Sequence, residues 1–247
     1  RRAWRLPGRA LGWGLPLTLA ITAVLAHFLL GLGWAESLLI GAILAPTDPV
    51  FAAALVGNMR VPQRLRELLN VESGVNDGLA LPFVVVFLAV SSGSDELHLG
   101  ELGLELLAGT AIGIAVPWIV IKALHTRVFA AAGVFEPIVP IAIGLLVFAL
   151  SSYTHANLFL GAFAAGVTVA TVGHKEREAF EEFGEIISEL LKLLALMIFG
   201  ALLSFKFLGE IAWTGWVFAI LALIAARPIA LAVSFVGSGL SMREQLA

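Results

Sequence analysis

The chain has 247 residues, of which 60% belong to the apolar set AVILMFWYC and only 13% are charged, with a net charge of −3 and a mean hydropathy of +0.98. A water-facing surface needs roughly a quarter of its residues charged, so this composition specifies an integral membrane protein and excludes a soluble enzyme, a disordered chain and a basic nucleic-acid binder. Cysteine is absent, which removes disulfides, thiol catalysis and thiolate metal sites.

A helix crossing the hydrocarbon layer needs about 20 mostly apolar residues. In chain order the stretches that meet or approach this length are Leu11–Ala35, Ser37–Asn58, Leu68–Val90, Leu102–Ile121, Pro137–Ser152, Ala156–Val172, Ile187–Phe205 and Ile211–Gly239. They predict an all-α fold, a polytopic membrane bundle of about eight transmembrane helices. The apolar runs are continuous rather than alternating, which disfavours a β-barrel. Only Tyr153, Thr154 and His155 separate the fifth and sixth stretches, so these form a tight helical hairpin. The acidic run from Glu176 to Glu189 reads as a solvated amphipathic helix on the cytoplasmic side.

Alternate connections fall on opposite sides of the membrane, and Lys and Arg sort sharply between them. One side collects Arg1, Arg2, Arg5, Arg9, Arg60, Arg64, Arg66, Lys122, Arg127, Lys175, Arg177 and Arg243; the other has Lys206 alone. The arginine-rich side is therefore expected to be cytoplasmic and to hold both ends of a multi-pass chain in the plasma membrane. Arg1–Arg9 reads as a juxtamembrane loop rather than part of a cleaved leader, because the apolar stretch after it is long and another span follows. The first residue is Arg and the last segment is an unfinished loop, so the expected context is a piece of a longer transporter.

A charge at the bilayer centre costs about 2.5–3.5 kcal/mol on insertion scales, so each one needs a reason. The second span carries Pro46-Thr47-Asp48-Pro49 at its midpoint. Each proline lacks an N–H and clashes with the carbonyl four residues earlier, here Ala42 and Ala45. Pro46 and Pro49 therefore unwind the helix, bringing freed carbonyls, two half-helix ends and the Asp48 carboxylate to one point, as ion sites of secondary transporters are built. A plain proline kink is the alternative, but it leaves the carboxylate unexplained.

The third span carries Glu72, Ser73, Asn76 and Asp77, which share one helix face as i,i+4 pairs. Two carboxylates, an amide and a hydroxyl are oxygen donors suited to a hard cation such as Na⁺. A polar contact between helices explains one Asn or Ser there, but poorly explains two acids. In the last span Arg227 lies near the centre, always charged, and so needs an anionic partner. Glu72 matches its depth, which leaves Asp48 and Asp77 for transport; a substrate-anion clamp is the competing role for Arg227. His27 and His155 near span ends and Lys192 near the start of its span read as interfacial polar groups.

Pro46-Thr47-Asp48-Pro49, then Glu72-Ser73-x-x-Asn76-Asp77, then Ala226-Arg227 resembles the monovalent cation:proton antiporters of the sodium/proton exchanger type, in order and spacing over the whole chain. The resemblance implies an inverted-repeat antiporter fold with further spans outside this chain and a homodimer in the full-length protein. It implies that Asp77 is the exchanging carboxylate, that Na⁺ is held by Asp77, Asp48, Ser73 and the Thr47 carbonyl, that Asn76 orients the site, and that Glu72 pairs with Arg227. Asn-Asp at positions 76 and 77 implies electroneutral exchange. No resident cofactor is expected, only the transported Na⁺ or another alkali cation and H⁺, with the lipid bilayer as solvent and no nucleic-acid partner.

The chemistry runs in the same direction. A bare carboxylate in a dry bundle is costly, and either a proton or a cation neutralises it. Competition between the two for Asp77, with rocking of one bundle against another, couples their movements without ATP. The rival readings are a cation channel and an intramembrane aspartyl protease using Asp48 and Asp77. The flanking residues, Thr before Asp48 and Asn before Asp77, do not fit the protease, and a central Arg227 suits stepwise exchange better than conduction.

Overall fold

The computed structural model describes residues 8–46, 63–92, 99–124 and 138–236. Among the described residues there is helix and no strand. The chain divides into two compact units, Arg1–Leu97 with Ile211–Ala247, and His98–Glu210.

In the first unit, α1 (Ala10–Leu30) opens with a wide π turn over Ala10–Gly14 and is followed, after a three-residue turn, by α2 (Trp34–Leu44). Glu36 closes the start of α2 by accepting a hydrogen bond from the Gly33 amide at 3.1 Å, the carboxylate half of a capping box. The His27 ring stacks on Trp34 with centroids 4.1 Å apart, and its Nδ1 lies 2.6 Å from the Leu32 carbonyl. His27 thus ties the hairpin together. The two helices approach backbone to backbone at Gly41, where a Cβ would sit 2.5 Å from the Leu19 carbonyl oxygen. Among the described residues the unit also holds α3 (Gln63–Ser91) and the span at the far end of the chain, Trp213–Ser234.

Leu15 and Leu19 of α1, Ala42 and Ala45 at the end of α2 and Ala80 of α3 form one buried cluster, with Leu38, Val84 and Phe87 around it. Small side chains dominate this cluster, as helix packing in lipid favours, because they let backbones approach. Arg9 Nη2 donates to the Val236 carbonyl at 2.9 Å, so the start of α1 and the end of the last span lie at the same end of the unit.

The second unit holds α4 (Leu99–Leu124), α5 (Val139–Tyr153), α6 (Leu158–Val172), α7 (His174–Leu202) and the short α8 (Phe205–Glu210). Gly109 and Gly113 lie one turn apart on α4, and a Cβ on either would run into the carbonyl oxygen of Asn157 or Gly161. Close backbone approach of this kind is the small-xxx-small mode of membrane helix association. Asn157 fixes the register twice: its amide donates to the Glu105 carbonyl at 2.9 Å, and its Oδ1 caps α6 by accepting from the Leu160 amide at 2.9 Å. Ile121, Ile143, Val147 and Ala165 form the core. Between α5 and α6 the chain reverses over Thr154 and His155, the latter at φ 54°. The last span of the first unit is α9 (Trp213–Ser234), interrupted by a π turn over Ala222–Ala226.

The helices depart from the expected stretches in several places; the first stretch, expected to run to Ala35, is cut where Gly31 at φ 69° ends α1 at Leu30 and Trp34 opens α2. α3 starts at Gln63 rather than Leu68, because Arg64, Leu65, Arg66 and Glu67 are good helix formers that extend the span past its apolar part. α4 likewise runs on to Leu124, with Lys122 in its last turn 4.4 Å over the Trp118 ring. The acidic run and the seventh stretch join into the single helix α7, since no proline interrupts His174–Leu202.

The burial pattern is inverted relative to a water-soluble domain. Leu107 is 69% exposed and Leu223 79%, while Thr18, Thr22, Ser37 and Asn76 are buried. Apolar side chains outward and polar ones inward suit a lipid solvent, and α1, Gly100–Leu124 and α9 are each long and apolar enough to cross it. The molecule is a multi-pass helical membrane bundle.

Candidate functional site

The first half of the second stretch is α2, which ends at Leu44; the expected break over residues 46–49 lies largely outside the described residues. Helix stops at Leu44, Ala45 and Pro46 are bends, and Thr47, Asp48 and Pro49 lie outside the described residues. Nothing in the composition ends the helix here, for the sequence stays apolar up to Ala45; the prolines do, by withholding amide donors.

Glu72, Ser73, Asn76 and Asp77 all lie on the continuous helix α3, so their i,i+4 relation holds in the backbone. The side chains of Glu72, Ser73 and Asp77 are outside the described residues. Asn76 is described and is fully buried, 0% exposed. One turn further on, Ala80 packs into the cluster with Ala42 and Ala45. The end of α2 and α3 at Ala80 are therefore neighbours in one core, with Asn76 one helical turn from that contact.

Arg227 on α9 reaches the same place. Its Nη1 donates to the Ala45 carbonyl oxygen at 3.0 Å, across 182 positions of sequence. Ala226 and Ala230, on either side of it in α9, are fully buried. The expected pairing of Arg227 with Glu72 falls on a side chain outside the described residues. The backbone contact of Arg227 was not anticipated, yet its signal is in the sequence: Pro49 removes the donor that would have served Ala45.

Ser37 was also missed. It is fully buried on α2, and its hydroxyl has no hydrogen-bond partner among the described residues. Ser37, Gly41 and Ala45 recur every fourth residue, a small-residue stripe that marks the face of α2 turned inward.

A helix that ends at a proline inside an apolar bundle, packed beside a helix whose sequence carries acids and an amide, suits the way secondary transporters build ion sites. Residues 1–247 match the model of the family "Sodium/hydrogen exchanger, transmembrane", and the chain belongs to that family. It is similar to the K⁺/H⁺ antiporter NhaP2 of Shewanella baltica, 24% identical over 227 residues that cover 90% of this chain and 39% of the relative. It is 32% identical over 177 residues to the Na⁺/H⁺ antiporter of Schizosaccharomyces pombe, covering 66% of this chain and 36% of that one. The chain thus spans less than two fifths to about two fifths of the length of these curated relatives. Its fold is similar to that of the sodium proton antiporter MjNhaP1 from Methanocaldococcus jannaschii at pH 8, with a TM-score of 0.78 at 21% identity, over 99% of this chain and 62% of that structure.

Proposed function

We propose that this protein exchanges a monovalent cation, Na⁺ in the first place, for H⁺ across the plasma membrane. Asp77 is the exchanging carboxylate, and Asp48, Ser73 and the Thr47 carbonyl complete the cation's oxygen ligands. Asn76 orients the site, and Glu72 offsets the charge of Arg227. The observation that carries this reading is the burial of Asn76 one turn from Ala80, which packs on the end of α2 beside Pro46. A polar group is costly there unless it serves a ligand or a neighbour. The antiporter names of the relatives support the same class of activity, and they include both Na⁺ and K⁺ as partners of H⁺.

The mechanism follows from charge. An empty anionic site is expensive to carry through a low-dielectric barrier, and either H⁺ or the cation removes most of that cost. Only loaded forms cross, one cation in one direction or one proton in the other, so the cycle is electroneutral. Both chain ends face the cytoplasm in this reading, and the full-length protein assembles as a homodimer.

Reconstituted into proteoliposomes with an imposed pH difference, the protein is expected to dissipate that difference when Na⁺ is added, with K⁺ and Li⁺ compared in parallel. The rate should not change when the membrane potential is clamped. Cation flux without proton movement would replace exchange with conduction, and cleavage of a peptide reporter would replace it with proteolysis.

A further inference from the structure

We propose that the short helix α8 (Phe205–Glu210) is a lipid-binding element that lies in the plane of the bilayer surface, with its phenylalanine rings at the boundary between headgroups and acyl chains. This surface lies wholly within the second unit. Its depth follows from α7. That helix starts in the charged run from His174 to Glu185, which belongs in water, and continues without a break into the apolar segment Ile186–Leu202. Every residue of that segment is exposed. Its length of about 25 Å nearly spans a hydrocarbon layer roughly 30 Å thick. α8 follows two residues later and therefore sits at the surface opposite the charged run.

The chain changes direction there by a built turn. Leu203 leaves the helix in an extended conformation, with φ −78° and ψ 119°. Ser204 then opens α8: its Oγ accepts a hydrogen bond from the Phe207 amide at 3.1 Å, and its carbonyl accepts one from the Leu208 amide at 3.0 Å. A serine in that role is an N-cap, so α8 starts as a new helix with its own axis instead of extending α7.

Around that axis Phe207, Leu208 and Phe205 fall within an arc of about 160°, and Gly209, Lys206 and Glu210 lie opposite them within about 100°. Phe205 is 96% exposed and Phe207 53%, while Leu208 is half-buried. Aromatic rings along one side and charges along the other are what hold a helix in the interface, neither inserted nor free in water. The occupant of the aromatic side is lipid, because the rings continue an exposed apolar surface that runs up α7 through Phe199, Leu202 and Leu203. The medium that covers that surface reaches its upper boundary at α8, where Lys206 and Glu210 meet headgroups and water.

The test uses the full chain in liposomes of phosphatidylcholine. The chain has no cysteine, so single spin labels are placed at Phe205→Cys, Lys206→Cys, Phe207→Cys and Glu210→Cys. Collisions of each label with oxygen, which partitions into lipid, are compared with collisions with a water-soluble nickel chelate. Labels at 205 and 207 are expected to favour oxygen and those at 206 and 210 the chelate, so that the order alternates along α8. In Phe205→Ser with Phe207→Ser, the label at 206 should shift further toward the chelate as α8 leaves the surface.

Preference for the chelate at all four positions would make α8 a loop in water, and shielding of 205 and 207 from both reagents would put a protein segment over the rings. Either result overturns the proposal, as does an unchanged label at 206 in the serine variant. Labels at 206 and 210 leave both rings in place, so they decide the matter even if a ring variant does not fold: preference for oxygen at both would also overturn it.

Discussion

Asp77→Asn is expected to abolish exchange while leaving the protein folded. The substitution keeps the size and an oxygen donor but removes the one property that exchange requires, a group that is neutral with a proton and anionic without it. An amide at position 77 has no proton to give up, so neither half of the cycle can be completed. Discharge of an imposed pH difference should fall to the rate of protein-free vesicles at every Na⁺ concentration. Thermal stability in detergent should not fall, since an amide at mid-span is cheaper to hold than a carboxylate. Residual saturable exchange in Asp77→Asn would transfer the exchanging role to another acid.

Asp48→Asn should behave differently. Its prolines remain, so the end of α2 is kept, and in the proposed site Asp77 would still bind the proton. What is lost is one anionic ligand to the cation, a loss worth about tenfold or more in KM. At saturating Na⁺ part of the maximal rate should return, and initial rates measured across a wide Na⁺ range will show it. A loss as complete as that of Asp77→Asn would mean that Asp48 also carries the exchanged proton.

The residues behind these two expectations stand out in the sequence because a membrane makes charge conspicuous. An acid between two prolines, two acids on one helix face and one central arginine each carry a cost that demands a function. The helices were legible for a related reason, since in lipid the backbone must satisfy itself and apolar length then fixes where each span lies. Their ends were less so. Arg64 and Arg66 extend α3 and Lys122 ends α4 because helix propensity continues where hydropathy stops.

Contacts between distant helices were read least well. Arg227 was expected to seek an acid, since charge pairing is the stronger rule; the deficit at the Ala45 carbonyl is written in the sequence by Pro49, but that Arg227, 182 positions away, donates to it depends on how the helices pack. Asn157 shows the same limit. An asparagine at a hairpin tip is ordinary turn chemistry, but its hold on Glu105 depends on how closely Gly109 and Gly113 let α4 approach α6.

The most direct test of the central claim, that one carboxylate holds either a proton or a cation, is the apparent cation KM measured as a function of pH. Competition predicts that KM rises by about tenfold for each unit of falling pH once the site is mostly protonated, with the maximal rate at saturating cation little changed. A KM that stays constant through that range while protons are still exchanged would show that the two ions occupy separate sites, and would contradict the account.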